Sequence, residues 1–130
     1  IHQDNFYWNL NNAKGLTVWI ALDKCTKKNG ALFYFKKSQK SGLLKHKPSF
    51  APGSSQVLKD KKILKKFKKV IPELNLGDIL IHHCLIVHGS KRNLSSKDRA
   101  GLTMRYIGHS SKIDKHAKRK YEKILKKQLN

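Results

Sequence analysis

Apolar residues in this chain arrive in short runs rich in β-branched and aromatic side chains, each closed off by polar turn residues. That rhythm restricts the fold more than any other feature. "GLTVWIAL" over residues 15–22 and "GALFYF" over residues 30–35 read as two strands of one sheet, separated by the polar turn "DKCTKKNG". "LNLGDILIHHCLIVHGS" reads as two further β segments, in which Gly77 and Asp78 make the turn that launches "ILIHH", and "LIV" leads into His88. "RAGLTMRYI" makes a last strand. Nothing alternates strand with helix as a parallel α/β sheet does, so the pattern predicts an antiparallel sandwich or barrel.

The remaining segments are polar. Residues 37–56 are rich in Ser, Lys, Gly and Pro, with "FAPGSSQ" as an evident loop, a longer connection than compact domains commonly use. "KKILKKFKK", residues 61–69, spaces its apolar residues by three and predicts a short basic helix. From Asp114, a natural N-cap, "KHAKRKYEKILKKQL" predicts a C-terminal helix with Ala117, Tyr121, Ile124, Leu125 and Leu129 near one stripe. The expected division is a β core over residues 1–110 and a basic helix over residues 111–130.

A chain of 130 residues holds one core. Cys25 and Cys84 show no paired spacing, which points to a reducing, cytoplasmic setting and away from a disulfide framework. No apolar run reaches the ~20 residues that span a bilayer, and the opening residues do not resemble a signal peptide. The formal charge is +21, yet of 29 basic residues only Arg92, Arg99, Arg105 and Arg119 are arginine, and base-edge recognition favours Arg. Lysine clusters at residues 59–69 and from residue 112 onward read as solvated faces, with attraction of an acidic partner as the alternative.

His2 and Asp4 stand two apart, so on a strand they point to one side, roughly 6.5–7 Å apart at their α-carbons. An H-x-D pair alone is a weak signal. The candidate third ligand is His88, and two imidazoles with one carboxylate leave positions open on a metal, an arrangement that suits non-haem Fe(II), though zinc also tolerates it. Beyond His88 come Ser90 and Arg99, a hydroxyl and a guanidinium fork fitted to grip the far carboxylate of a dicarboxylate co-substrate. Arg105 is a second candidate for that grip.

With these pieces in order, the sequence resembles the phytanoyl-CoA dioxygenase family of Fe(II)/2-oxoglutarate oxygenases. The resemblance rests on "HQD" (residues 2–4), "VWIALD" (18–23), "NGALFYF" (29–35), the Gly77-Asp78 turn and "HGSKRNLSSKDR" (88–99), and runs to about residue 107. It implies a double-stranded β-helix of the jelly-roll or cupin type, incomplete at its N-terminus because the H-x-D would ordinarily follow a first strand and a helical region. It implies Fe(II) held by His2, Asp4 and His88, 2-oxoglutarate held by Arg99 and Ser90, and Trp19 lining the co-substrate pocket, with a plain core aromatic as the other reading of Trp19. Gln39 stands where family members often carry a His near the active site. His82 and His83 are expected to be structural, since only His88 has the Gly-Ser that follows the distal ligand.

The implied activity is hydroxylation of a small organic or acyl substrate, coupled to oxidative decarboxylation of 2-oxoglutarate by molecular oxygen, with succinate as co-product. Phe6, Tyr7, Trp8 and the 37–56 loop are candidates for the substrate wall. The positive charge favours an anionic substrate. Two rivals stand beside this reading: chiefly a basic nucleic-acid or anion-binding module, and after it an oxygenase-like protein without turnover.

Overall fold

A computed structural model describes residues 1–51 and 54–129, so Pro52 and Gly53 of the expected "FAPGSSQ" loop and the side chain of Leu129 lie outside the described residues. In chain order the elements are α1 (Asn5–Trp8), β1 (Gly15–Ala21), β2 (Leu32–Phe35), β3 (His46–Ala51), β4 (Ser54–Leu58), β5 (Lys69–Val70), β6 (Ile79–His83), β7 (His88–Ser90), β8 (Gly101–Ile107) and α2 (Lys115–Leu129). All strand pairs are antiparallel, in sheets ordered β6-β1-β8 and β5-β2-β7, with β3 and β4 forming a separate hairpin.

The expectation that β1 and β2 share a sheet is therefore corrected. The polar stretch between them crosses from one sheet to the other: Cys25 exchanges both backbone hydrogen bonds with Leu74 (2.8 and 3.0 Å), and the Asn29 side chain accepts from Thr26 N at 2.7 Å. Gly30 then turns the chain with φ +81, and a side chain there would strike the Lys91 carbonyl, its Cβ only 2.7 Å away.

The polar 37–56 segment is also more ordered than expected. It contains a 3₁₀ turn, Ser38–Ser41, and strand β3. Its polar groups satisfy backbone atoms: buried Ser38 Oγ accepts from Val87 N at 2.8 Å, while the wholly buried Gln3 side chain donates to the Gly42 carbonyl (2.8 Å) and accepts from Leu44 N (2.8 Å). Residues 62–66 form a 3₁₀ rather than an α-helix, which suits apolar residues spaced by three, here Leu64 and Phe67.

Alternation along β2 divides the core. Phe33 and Phe35 join Leu58, Leu64 and Val87, whereas Leu32 packs against Trp19, Ala21, Cys25, Ala31 and Leu74. On β1 the same alternation sends Thr17, Trp19 and Ala21 inward. Its outer face sets Val18 between Ile81 and Met104, and Ile20 between Ile79 and Leu102, an apolar surface on which Ile81 is 67% exposed.

The C-terminal helix forms as expected, with Asp114 Oδ1 accepting from the His116 and Ala117 amides at 2.9 and 3.0 Å. Tyr121 sets its edge against Phe6 and Tyr7, and Gln56 Nε2 donates to Gln128 Oε1 at 2.8 Å, so the lysines of α2 face outward. Among the described residues no helix is long and apolar enough to cross a membrane.

Candidate metal centre

Three stretches of chain deliver the centre. His2 forms a two-way backbone bridge with His88, His2 N to His88 O at 3.0 Å and the reverse at 3.1 Å, so the chain's opening residues lie along β7. Asp4 does not continue that extended segment: its backbone is helical (φ −60, ψ −37) and it caps α1. The strand alternation that would align the pair thus ends before Asp4, and the turn into α1 swings the carboxylate toward the imidazoles instead.

The ligand atoms of His2, Asp4 and His88 all lie within 4.8 Å of one another. His2 Nε2 stands 3.4 Å and His88 Nε2 3.6 Å from Asp4 Oδ1. Adjacent ligands about 2.1 Å from one ion in octahedral geometry sit ~3 Å apart, so small side-chain adjustments would bring these atoms onto a common cation. The donor set is chemically suited to one. His88 meets the Ile86 carbonyl through Nδ1 at 3.1 Å, which leaves Nε2 with its lone pair toward Asp4. Burial, reinforced by His2, pushes His88 down to about 4, so the ring is neutral near pH 7. Burial alone would raise the Asp4 carboxyl, but hydrogen bonds from His2 and His82, the nearby His88 and the Thr17 hydroxyl outweigh it and hold the group well below the ordinary carboxylate range.

A cavity of about 170 Å³ adjoins the centre, lined by Asp4, Thr17, Trp19, Leu32, His82, His88, Thr103 and Arg105. Trp19 is both a core aromatic and a wall of this cavity. Arg105 reaches the cavity, while Arg99 does not line it: Arg99 lies over the Trp19 ring at 5.3 Å, donates from Nη2 to the Gly30 carbonyl at 3.2 Å, and keeps its Nε buried without a hydrogen-bond partner. Ser90 is exposed at the end of β7 and is not among the lining residues. Gln39 is half-buried, with its Oε1 buried and unpaired.

Sequence reasoning missed Thr17 and Tyr34, and placed His82 among structural residues without its partner. His82 is buried, as a structural histidine would be, but the group that satisfies it is Asp4, 3.1 Å from Nε2. Thr17 Oγ1 donates to the same Asp4 Oδ2 at 2.7 Å, and Tyr34 Oη lies 3.1 Å from His82 Nδ1. A signal existed: His82 alternates with Leu80 on the face of β6 that packs into the core, and Thr17 shares the face of Trp19. His83, on the opposite face, is exposed.

A sequence profile of the family described as phytanoyl-CoA dioxygenase (PhyH) matches residues 1–101, which include His2, Asp4, His88 and Arg99. The chain belongs to the phytanoyl-CoA dioxygenase family. A phytanoyl-CoA dioxygenase of Arabidopsis thaliana is 30% identical over 108 residues, 82% of this chain and 37% of the relative. The chain therefore spans a little over a third of that relative's length. Among solved structures, the apo form of the non-heme monooxygenase ThoJ matches with a TM-score of 0.70 and 24% identity, over 86% of this chain and 40% of ThoJ. The epimerase SnoN, solved in complex with Fe3+, alpha ketoglutarate and nogalamycin RO, matches with a TM-score of 0.66 and 20% identity, over 85% of this chain and 42% of SnoN. The two sheets and the hairpin are thus part of the cupin-like jelly roll of the family.

Proposed function

We propose that this chain carries the metal and co-substrate machinery of an Fe(II)- and 2-oxoglutarate-dependent oxygenase acting on a small organic or acyl substrate. The observation that carries this reading is the convergence of the His2, Asp4 and His88 ligand atoms within 4.8 Å of one another, beside a cavity bordered by a cation. When bound, Fe(II) with 2-oxoglutarate and oxygen would supply the oxidising power for attack on a C–H bond. Each protein group has a defined task. His2 and His88 would offer imidazole nitrogens and Asp4 a carboxylate kept ionised, from one side only. Trp19 and Leu32 wall the cavity with apolar surface that limits water.

For the distal carboxylate of 2-oxoglutarate we assign Arg99. Its Nη2 is anchored on Gly30 and its buried Nε has no partner, an orphaned charged donor that an anion would satisfy. Ser90 would assist from the adjoining strand end. A second reading, Arg105 as that anchor, is favoured by its place in the cavity wall.

Succinate formation from 2-oxoglutarate tests the proposal. Turnover that requires Fe(II) and disappears in Asp4→Ala supports it; turnover that persists in Asp4→Ala, or that zinc supports equally, overturns it. DNA or RNA binding with a steep salt dependence and no succinate would favour the basic-module alternative.

A further inference from the structure

The Asp4 carboxylate has two oxygens with different surroundings. Oδ1 faces the two ligand imidazoles, 3.4 Å from His2 and 3.6 Å from His88. Oδ2 is turned away and held from two sides, by Thr17 Oγ1 at 2.7 Å and His82 Nε2 at 3.1 Å. His82 is itself held: its ring is 7% exposed, and Tyr34, whose side chain is buried across the sheet interface, places its hydroxyl 3.1 Å from Nδ1. The polarity of this chain follows from the groups it joins. An ionised carboxylate only accepts, so Nε2 carries hydrogen and donates to Oδ2, while Nδ1 on the far side of the ring meets the phenol.

We propose that His82, held in place by Tyr34, is a positioning residue that holds Asp4 Oδ2 off the metal and so makes Asp4 a ligand through Oδ1 alone. The inference rests on the metal-centre reading and deepens it. A carboxylate free to rotate can close on an ion with both oxygens and consume a coordination position; one whose second oxygen is committed to two donors cannot do so without breaking both bonds. His82 therefore protects the number of open positions on the cation, a task that neither His2 nor His88 can perform.

Co(II) titration of the purified chain, followed by its visible absorption, tests this without turnover. His82→Phe keeps a ring in the core and removes the donor; His82→Gln keeps an amide N–H at the place of Nε2; His82→Asn carries its amide too short to reach Asp4. Expected are a roughly 10–100-fold loss of Co(II) affinity in His82→Phe and His82→Asn, a changed visible band in both, and recovery to within about threefold, with the native band, in His82→Gln. Tyr34→Phe should shift affinity in the same direction by less, and add nothing in the His82→Phe background. Should His82→Phe fail to fold, the comparison of His82→Gln with His82→Asn decides alone. Native affinity and native band in His82→Asn, or equal losses in the Gln and Asn variants, overturn the proposal. Asp4→Ala separates the two levels: if it too leaves Co(II) binding intact, the metal centre itself is misassigned.

Discussion

Thr17 and Asp4 are joined by the shortest side-chain contact of the candidate metal centre, a hydroxyl-to-carboxylate hydrogen bond of 2.7 Å that ties β1 to the turn entering α1. Thr17 is buried and its partner is charged, so the bond is of the stronger kind. Thr17→Val keeps the shape and deletes the donor. Urea unfolding of the metal-free protein should show a loss of about 1–3 kcal/mol; an unchanged midpoint would mean that the hydroxyl does not hold the carboxylate.

Acid should destabilise the fold in a defined window. Burial pushes His46 down to about 4 against the pull of the Leu44 carbonyl, and its Nε2 accepts from Gln3 N at 3.2 Å, a bond that a protonated ring cannot accept. His88 is likewise held at about 4. The unfolded chain takes up these protons near pH 6.5 and the folded one only near 4, so stability falls as pH drops through that interval. Asp4, depressed below its ordinary value, adds a further loss below the usual carboxylate range. Urea midpoints measured from pH 7.5 down to 4 should decline, with a shallower decline in His46→Gln; a flat profile would contradict the neutral, buried assignment.

Gly101 has no room for a side chain, because a Cβ there would overlap the six-membered ring of Trp19. Gly101→Ala should displace Trp19 from both the core and the cavity wall, costing about 1–3 kcal/mol and shifting tryptophan fluorescence to the red. Native emission and native stability would show that the ring yields freely.

The two candidate anchors for 2-oxoglutarate can be told apart kinetically. Replacing the guanidinium that pairs with the distal carboxylate should raise the KM for 2-oxoglutarate at least tenfold, since losing one partner of a buried charge pair costs about 2–5 kcal/mol. Arg99→Met is expected to do this and Arg105→Met is not. The reverse result would move the anchor to the cavity wall.

How much of this could be read in advance differs from element to element. The strands at residues 15–21, 32–35, 79–83 and 101–107 announced themselves through β-branched and aromatic runs, and α2 through Asp114 and its apolar stripe. Their assignment to sheets was not legible, because the polar residues 23–30 look like a hairpin turn yet pair with Leu74, a partner far along the chain. The β3–β4 hairpin hid in a segment whose Ser, Gln and Gly content resembles a loop; buried Gln3 and Ser38 give that segment its order, and no local pattern reveals a long-range hydrogen bond. At the candidate centre, the motifs singled out His2, Asp4 and His88, which the structure brings together. His82 was set aside as structural, and Thr17 and Tyr34 escaped notice, because their importance lies in long-range contacts: Thr17 and His82 reach Asp4 Oδ2, and Tyr34 reaches His82.

The paired backbone bonds between His2 and His88 have an energetic corollary. Most of the chain lies between those two residues, and closing so long a loop costs entropy that two amide hydrogen bonds offset only in part. A cation coordinated by both imidazoles would act as a clasp on that loop. Occupancy and folding would then rise together, by about 2.7 kcal/mol at a hundredfold excess over the dissociation constant, and the opening residues would be the first to peel away when the clasp is undone.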